Sequence, residues 1–144
     1  MITIQKQPIG SKTCGQHCVA MIADVHINDS IKVFGHTRAT YGHEHRKALR
    51  HFGFHTSERY KRYKYKKDLP PKCIIRLKSL TEQKGHVVVY HNGTVYDPAW
   101  GVFTYTHFIK WYRNHWRPVS YLEVYKPLFK NESICTQRLD NANA

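Results

Sequence analysis

Apolar positions change their period part-way along this chain. In the first half they recur at helical spacing. Cys18, Met21, Ile22 and Val25 fall at i, i+3, i+4 and i+7, which predicts a helix over 14–25 with Thr13 in place to cap it. A short helical turn over 30–34 follows, opened by Asp29 or Ser30 and stopped by Gly35. His45, Ala48, Leu49 and Phe52 repeat the stripe over 43–52, and Gly53 ends it.

Beyond the Pro70-Pro71 breaker the pattern becomes that of strands. Residues 73–77 read as one strand, and 86–90, with Val87-Val88-Val89 at its centre, as another. Asn92-Gly93 is a strong hairpin signal, so 94–96 should return as the partner strand. Residues 103–116 read as partly helical, with Tyr105, Phe108, Ile109, Tyr112 and Trp116 on one side, and 119–125 as a closing strand. Helices first and an antiparallel sheet after them make an α+β domain. No repeat or linker divides the chain, so a single domain is expected over 1–130, followed by a polar, flexible tail over 131–144.

Composition narrows the class. With 41% hydrophobic and 13% aromatic residues, 144 residues suffice for one packed core, and a disordered protein is excluded. No apolar run reaches the roughly 18 residues that a membrane span requires. The start, Met1-Ile2-Thr3-Ile4-Gln5-Lys6, lacks the apolar stretch of a signal peptide, so a cytoplasmic location is expected.

Charge adds a partner question. Twenty-three Lys and Arg against ten Asp and Glu give a formal charge of +13. Such an excess attracts a polyanion or an acidic substrate, or simply keeps the protein soluble. Much of it lies in 59–67, where Tyr alternates with Lys and Arg. That interleaving suits single-stranded nucleic acid. It suits better an exposed edge strand, or its flanking loop, on which lysine discourages sheet-to-sheet pairing.

The four cysteines, at 14, 18, 73 and 135, are expected to be catalytic, metal-binding or buried in a reducing compartment. A zinc site would need a second close pair beside Cys14 and Cys18, and Cys73 and Cys135 do not form one, so no metal or other cofactor is expected. Cys14 stands at the first turn of its predicted helix, where unpaired N–H groups and the positive dipole end favour a thiolate. Gly15 beside it would let a substrate backbone approach, and Cys18 lies on the core stripe. His86 opens a buried strand. Pairing Tyr90 with Val95 around the hairpin carries Asp97 towards it, the arrangement of a base and its orienter. Taken singly, His86 is equally a structural histidine, and Asp97-Pro98 a turn.

Together these segments resemble a known family. Gln7-Pro8-Ile9-Gly10-Ser11-Lys12-Thr13-Cys14-Gly15-Gln16-His17-Cys18-Val19-Ala20-Met21-Ile22 is similar to the start of the bacteriocin-leader-processing (double-glycine) cysteine peptidases. The segment 42–54, then Gly85-His86-Val87-Val88-Val89-Tyr90, then Val95-Tyr96-Asp97-Pro98-Ala99 follow in the family's order. Thr13 stands where the family usually has Asp. The resemblance, over about 5–125, implies a papain-like fold and a thiol hydrolase acting on a peptide or protein substrate. It makes Cys14 the nucleophile, His86 the base and then acid, Asp97 the orienter, and Gln7, with Gln5 as fallback, an oxyanion donor. The same triad also serves other acyl transfer, as in transglutaminases. A third reading is an inactive basic module binding nucleic acid or an acidic protein.

Overall fold

The helical stripes of the first half fold as α1 (Cys14–Ala23), α2 (Ile27–Phe34) and α3 (Gly42–His51) in the computed structural model, which describes residues 2–126. The expected tail, 131–144, and Cys135 lie outside the described residues. α2 starts earlier than the sequence predicts because the His26 side chain, rather than Asp29 or Ser30, accepts from the Asn28 N–H at 3.0 Å and caps it. Ser30 is instead buried, and its hydroxyl donates to the Gln16 carbonyl at 2.7 Å, tying α2 to α1. Gly35 ends α2 in the left-handed region (φ +81°), as expected.

The strands are β1 (His55–Thr56), β2 (Lys61–Arg62), β3 (Lys72–Ser79), β4 (Gly85–His91), β5 (Thr94–Asp97), β6 (Gly101–Thr104) and β7 (Trp116–Tyr125), with α4 (Tyr105–Tyr112) between β6 and β7. They form one antiparallel sheet in the order β1-β7-β3-β4-β5-β6, with β2 also on β7. The fold is therefore α+β, with the three N-terminal helices packed on a mostly C-terminal sheet. Asn92 (φ 47°) and Gly93 (φ 92°) take the two positive-φ positions of a tight hairpin, and Tyr90 faces Val95 as the turn dictates. Pro118, which has no N–H for the ladder, sits where the β3–β7 register shifts at Arg76/Leu77.

The sheet has a core on each face. Val87, Val89, Ile74, Leu122 and Val124 join Cys18, Val19, Met21 and Ile22 of α1 and Ala48 and Leu49 of α3. Val88, Tyr90, Ile75, Leu77 and Val95 meet Tyr105, Phe108 and Tyr112 of α4 on the other. Burial on both faces is why β4 reads as an unbroken apolar run, and each such side chain contributes about 1.5–3 kcal/mol. α4 thus covers a face that the simple order of helices followed by sheet leaves bare.

The basic stretch 59–67 lies on the outer side of β7, where only Lys61 and Arg62 pair. Its tyrosines are not a stacking surface. Tyr60 hydroxyl bonds His45 Nδ1 at 2.7 Å, and Tyr63 hydroxyl lies 2.9 Å from that of Tyr105. Tyr65 is exposed, with the Lys64 and Lys67 ammonium groups over its ring. The alternation is mainly that of an edge, with rings inward and cations outward. Among the described residues no helix is long and apolar enough to cross a membrane.

Candidate active site

Where β5 ends, β4 keeps an open edge. The ladder between them runs only over Val89–His91, and the chain turns away after Asp97. The first turns of α1 fill the gap. The Cys18 thiol donates to the Val87 carbonyl at 3.5 Å, and the Val87 N–H lies near enough to Cys14 to favour its thiolate. A backbone that would have paired with β5 thus seats two thiols, one deep and one at the surface.

Cys14 is half-buried at the first position of α1, close enough to His86 for the imidazole to act on its ionisation. Burial pushes its thiol up, but the hydrogen bond and charge of His86, with the N–H groups of Val87 and Gly15, outweigh it and hold the pKa below the ordinary thiol value. No acidic side chain in the first turn opposes the helix dipole. Cys18 has the opposite setting. It is fully buried, and desolvation, followed by the nearby Cys14 and Asp97, raises its pKa well above normal. The two thiols divide as the sequence suggests: one ionisable, one inert.

His86 Nε2 lies 2.7 Å from Asp97 Oδ1, which leaves Nδ1 for Cys14. The imidazole is 11% exposed and the carboxylate 0%. Burial disfavours the charged ring, yet the Asp97 and Cys14 hydrogen bonds and charges overcome it and push the His86 pKa up to about 10. Both shifts favour a thiolate–imidazolium pair, backed by a carboxylate. Asp97 is itself fully provided for. Oδ1 also accepts the Ala99 N–H at 2.8 Å, and Oδ2 accepts the Tyr112 hydroxyl. Trp116 covers His86, ring centres 5.7 Å apart.

Tyr112 and Trp116 were not legible as site residues. Both read as the apolar side of one segment, and Tyr112 does pack in a core while its hydroxyl reaches the carboxylate. Burial first, then the Asp97 charge, raise the Tyr112 pKa, so it stays a neutral donor.

Four expectations around the triad need correction or refinement. Thr13 precedes α1 without capping it, because its hydroxyl pairs with Ser11 Oγ at 3.1 Å. The first turn of α1 thus has no side-chain cap from Thr13, and a helix start of this kind favours an anion. Gly15 is not an open approach for substrate. A Cβ there would lie 2.1 Å from Thr40 Oγ1 and 2.7 Å from His45 Nε2, so α1 needs glycine to pack on the α3 region. Gln5 Nε2 holds the Val25 carbonyl at 2.8 Å, past the opposite end of α1, about 15 Å from Cys14, so it is no oxyanion donor. Gln7 lies beside the site, its backbone N–H on the Pro98 carbonyl at 2.7 Å. Its Nε2 donates to Ser11 O at 3.0 Å and Ser11 Oγ at 3.1 Å, so serving an oxyanion requires it to release one of them.

No protein-family model matches the chain, and no curated protein is significantly similar to it. The site speaks through its own geometry. A polarised thiol, a charged imidazole and a buried carboxylate in hydrogen-bonded series can attack a carbonyl, protonate a leaving group and activate water.

Proposed function

We propose that this protein is a papain-like thiol hydrolase, most simply a cysteine peptidase, cleaving a peptide or isopeptide bond through an acyl-enzyme. The observation that carries the reading is the His86–Asp97 bond at 2.7 Å with Cys14 on the other ring nitrogen, at a helix start. The chain order of helix-borne thiol, strand-opening histidine and aspartate at the end of the next strand supports the papain-like assignment and the resemblance to double-glycine peptidases.

The Cys14 thiolate attacks the carbonyl carbon, and the oxygen takes the negative charge beside the Cys14 backbone N–H at the start of α1, with Gln7 as second donor once released from Ser11. His86 gives its proton to the departing nitrogen, the C–N bond breaks and a thioester remains. Neutral His86 then takes a proton from water, hydroxide adds, and the C–S bond breaks to restore the ion pair. Asp97 keeps Nε2 protonated and directs Nδ1 at Cys14 throughout. Incubating a mixed peptide library with wild type and with Cys14→Ala tests the reading. New termini should appear with wild type alone, and a library left intact by both would overturn it.

A further inference from the structure

All three tryptophans of the chain line one cavity. Trp100, Trp111 and Trp116, with Tyr112, Asn114 and His115, enclose about 500 Å³. Two of these indoles are not core: Trp100 is 59% and Trp111 50% exposed. They meet edge to face with ring centres 5.7 Å apart, and a pair of half-exposed indoles leaves a large apolar area in water until something covers it. The remaining walls belong to the site. Trp116 packs on His86, Tyr112 donates to Asp97, and the Trp100 backbone N–H donates to the Asp97 backbone carbonyl at 3.2 Å. No residue of α1 lines the cavity, so it adjoins the imidazole rather than the thiol.

We propose that this cavity is the subsite for a large apolar or aromatic side chain on the leaving segment of the substrate, a proposal that rests on the acyl-enzyme reading above. His86 hands its proton to the departing nitrogen, so the segment attached to that nitrogen passes His86 and reaches the tryptophans next. Among the described residues no Lys, Arg, Asp or Glu lines the cavity, so a charged side chain would lose its hydration there without a partner from them.

The reverse step gives the test. An amine that binds the subsite attacks the thioester, a C–N bond forms and the C–S bond breaks. The amine proton passes to His86, which leaves Cys14 as thiolate. An acylglycine p-nitrophenyl ester serves as acyl donor, and phenylalaninamide and glycinamide compete with water for the acyl-enzyme. Phenylalaninamide should capture the acyl group at a concentration about tenfold or more below that required of glycinamide. Trp100→Ala and Trp111→Ala should each bring the two amines closer together. In a parallel titration of Cys14→Ala, phenylalaninamide and not glycinamide should change the tryptophan fluorescence, which arises from this cavity alone. Acyl transfer at Cys14 with no preference between the amines overturns the subsite while leaving the catalytic reading intact. Fluorescence binding without any Cys14-dependent acyl transfer overturns the catalytic reading, and with it the assignment of the cavity to a leaving segment.

Discussion

The first turn of α1 neighbours two histidines, the half-buried His86 by Cys14 and the buried His45 by Gly15. Each ring has a partner on both nitrogens. His86 has the Asp97 carboxylate and the Cys14 thiol, and its pKa rises to about 10 although burial opposes this. His45 has Thr40 Oγ1 at 2.6 Å on Nε2 and the Tyr60 hydroxyl at 2.7 Å on Nδ1, and burial lowers its pKa to about 4. Hydroxyls can donate or accept and so satisfy a neutral ring, whereas a carboxylate only accepts and holds a proton on the nitrogen facing it. Arg76, stacked on the Tyr60 ring at 4.9 Å, adds a further positive charge near His45. The shifts thus favour a charged ring in one place and a neutral packing element in the other. Partner chemistry decides which.

The largest expected effect separates the two rings by role. His86→Ala should lower kcat/KM by at least about 10⁴-fold, in the range seen when a triad member is removed. His45→Ala should instead cost about 2–4 kcal/mol in urea denaturation, from the cavity and the orphaned Tyr60 hydroxyl, and leave turnover per folded molecule within about tenfold. Equal loss of activity from both would break the distinction.

Asp97→Asn comes next, because it removes the charge that distinguishes the His86 site while keeping the shape. We expect kcat to fall about 10²–10⁴-fold by analogy with serine triads. The high-pH limb of the rate profile, set in wild type by loss of the imidazolium near about 10, should move to lower pH. A limb that stays in place would assign it to another group.

Much of this contrast could be read before the fold was known, and some could not. The β4–β5 hairpin was legible because Asn-Gly forces the positive-φ turn and thereby the register that carries Asp97 towards His86. Cys14 and Cys18 separated on helical spacing alone. The His45 network was invisible, since Thr40, His45 and Tyr60 come from three segments that only packing brings together. Gly15 was misread for the same reason: what demands glycine there lies some 25 and 30 residues further along the chain. Tyr112 was hidden by its dual nature, a ring that obeys the apolar stripe and a hydroxyl that serves the site.

A smaller effect follows from linkage. Between pH 6.5 and about 4 the unfolded chain takes up a proton on His45 that the folded chain excludes, so stability falls as pH falls through that window. At about 1.4 kcal/mol per pH unit the loss reaches about 3 kcal/mol at its lower end. His86 has the opposite sign. Its contribution is full below the unfolded value of 6.5 and is lost as pH rises towards about 10. Denaturation of His45→Gln across pH 4–7 should lack the His45 part of the acid slope, and an unchanged slope would contradict a neutral buried ring.

The smallest effect concerns the edge at β2. Replacing Lys61, Arg62, Lys64 and Lys66 with Gln should lower kcat/KM for an acidic substrate only at low salt. Exposed charges steer association and are screened as the Debye length falls from about 10 Å at 0.1 M to about 3 Å at 1 M. Equal rates for variant and wild type at every ionic strength would reduce the stretch to a solvated edge.

If Cys14 is an ionised nucleophile at rest, the pH dependence of its alkylation will show it. Folded protein treated briefly with iodoacetamide and mapped by mass spectrometry should carry the label at Cys14 ahead of Cys18 and Cys73, whose thiols burial holds in the protonated form. The Cys14 rate should reach half its maximum at a pH below the value near 8.5 of a free thiol, and His86→Ala should move that midpoint upward. Labelling of Cys14 no faster than Cys18, or a midpoint at or above that of the urea-unfolded chain, would contradict the thiolate–imidazolium pair and the enzyme built on it.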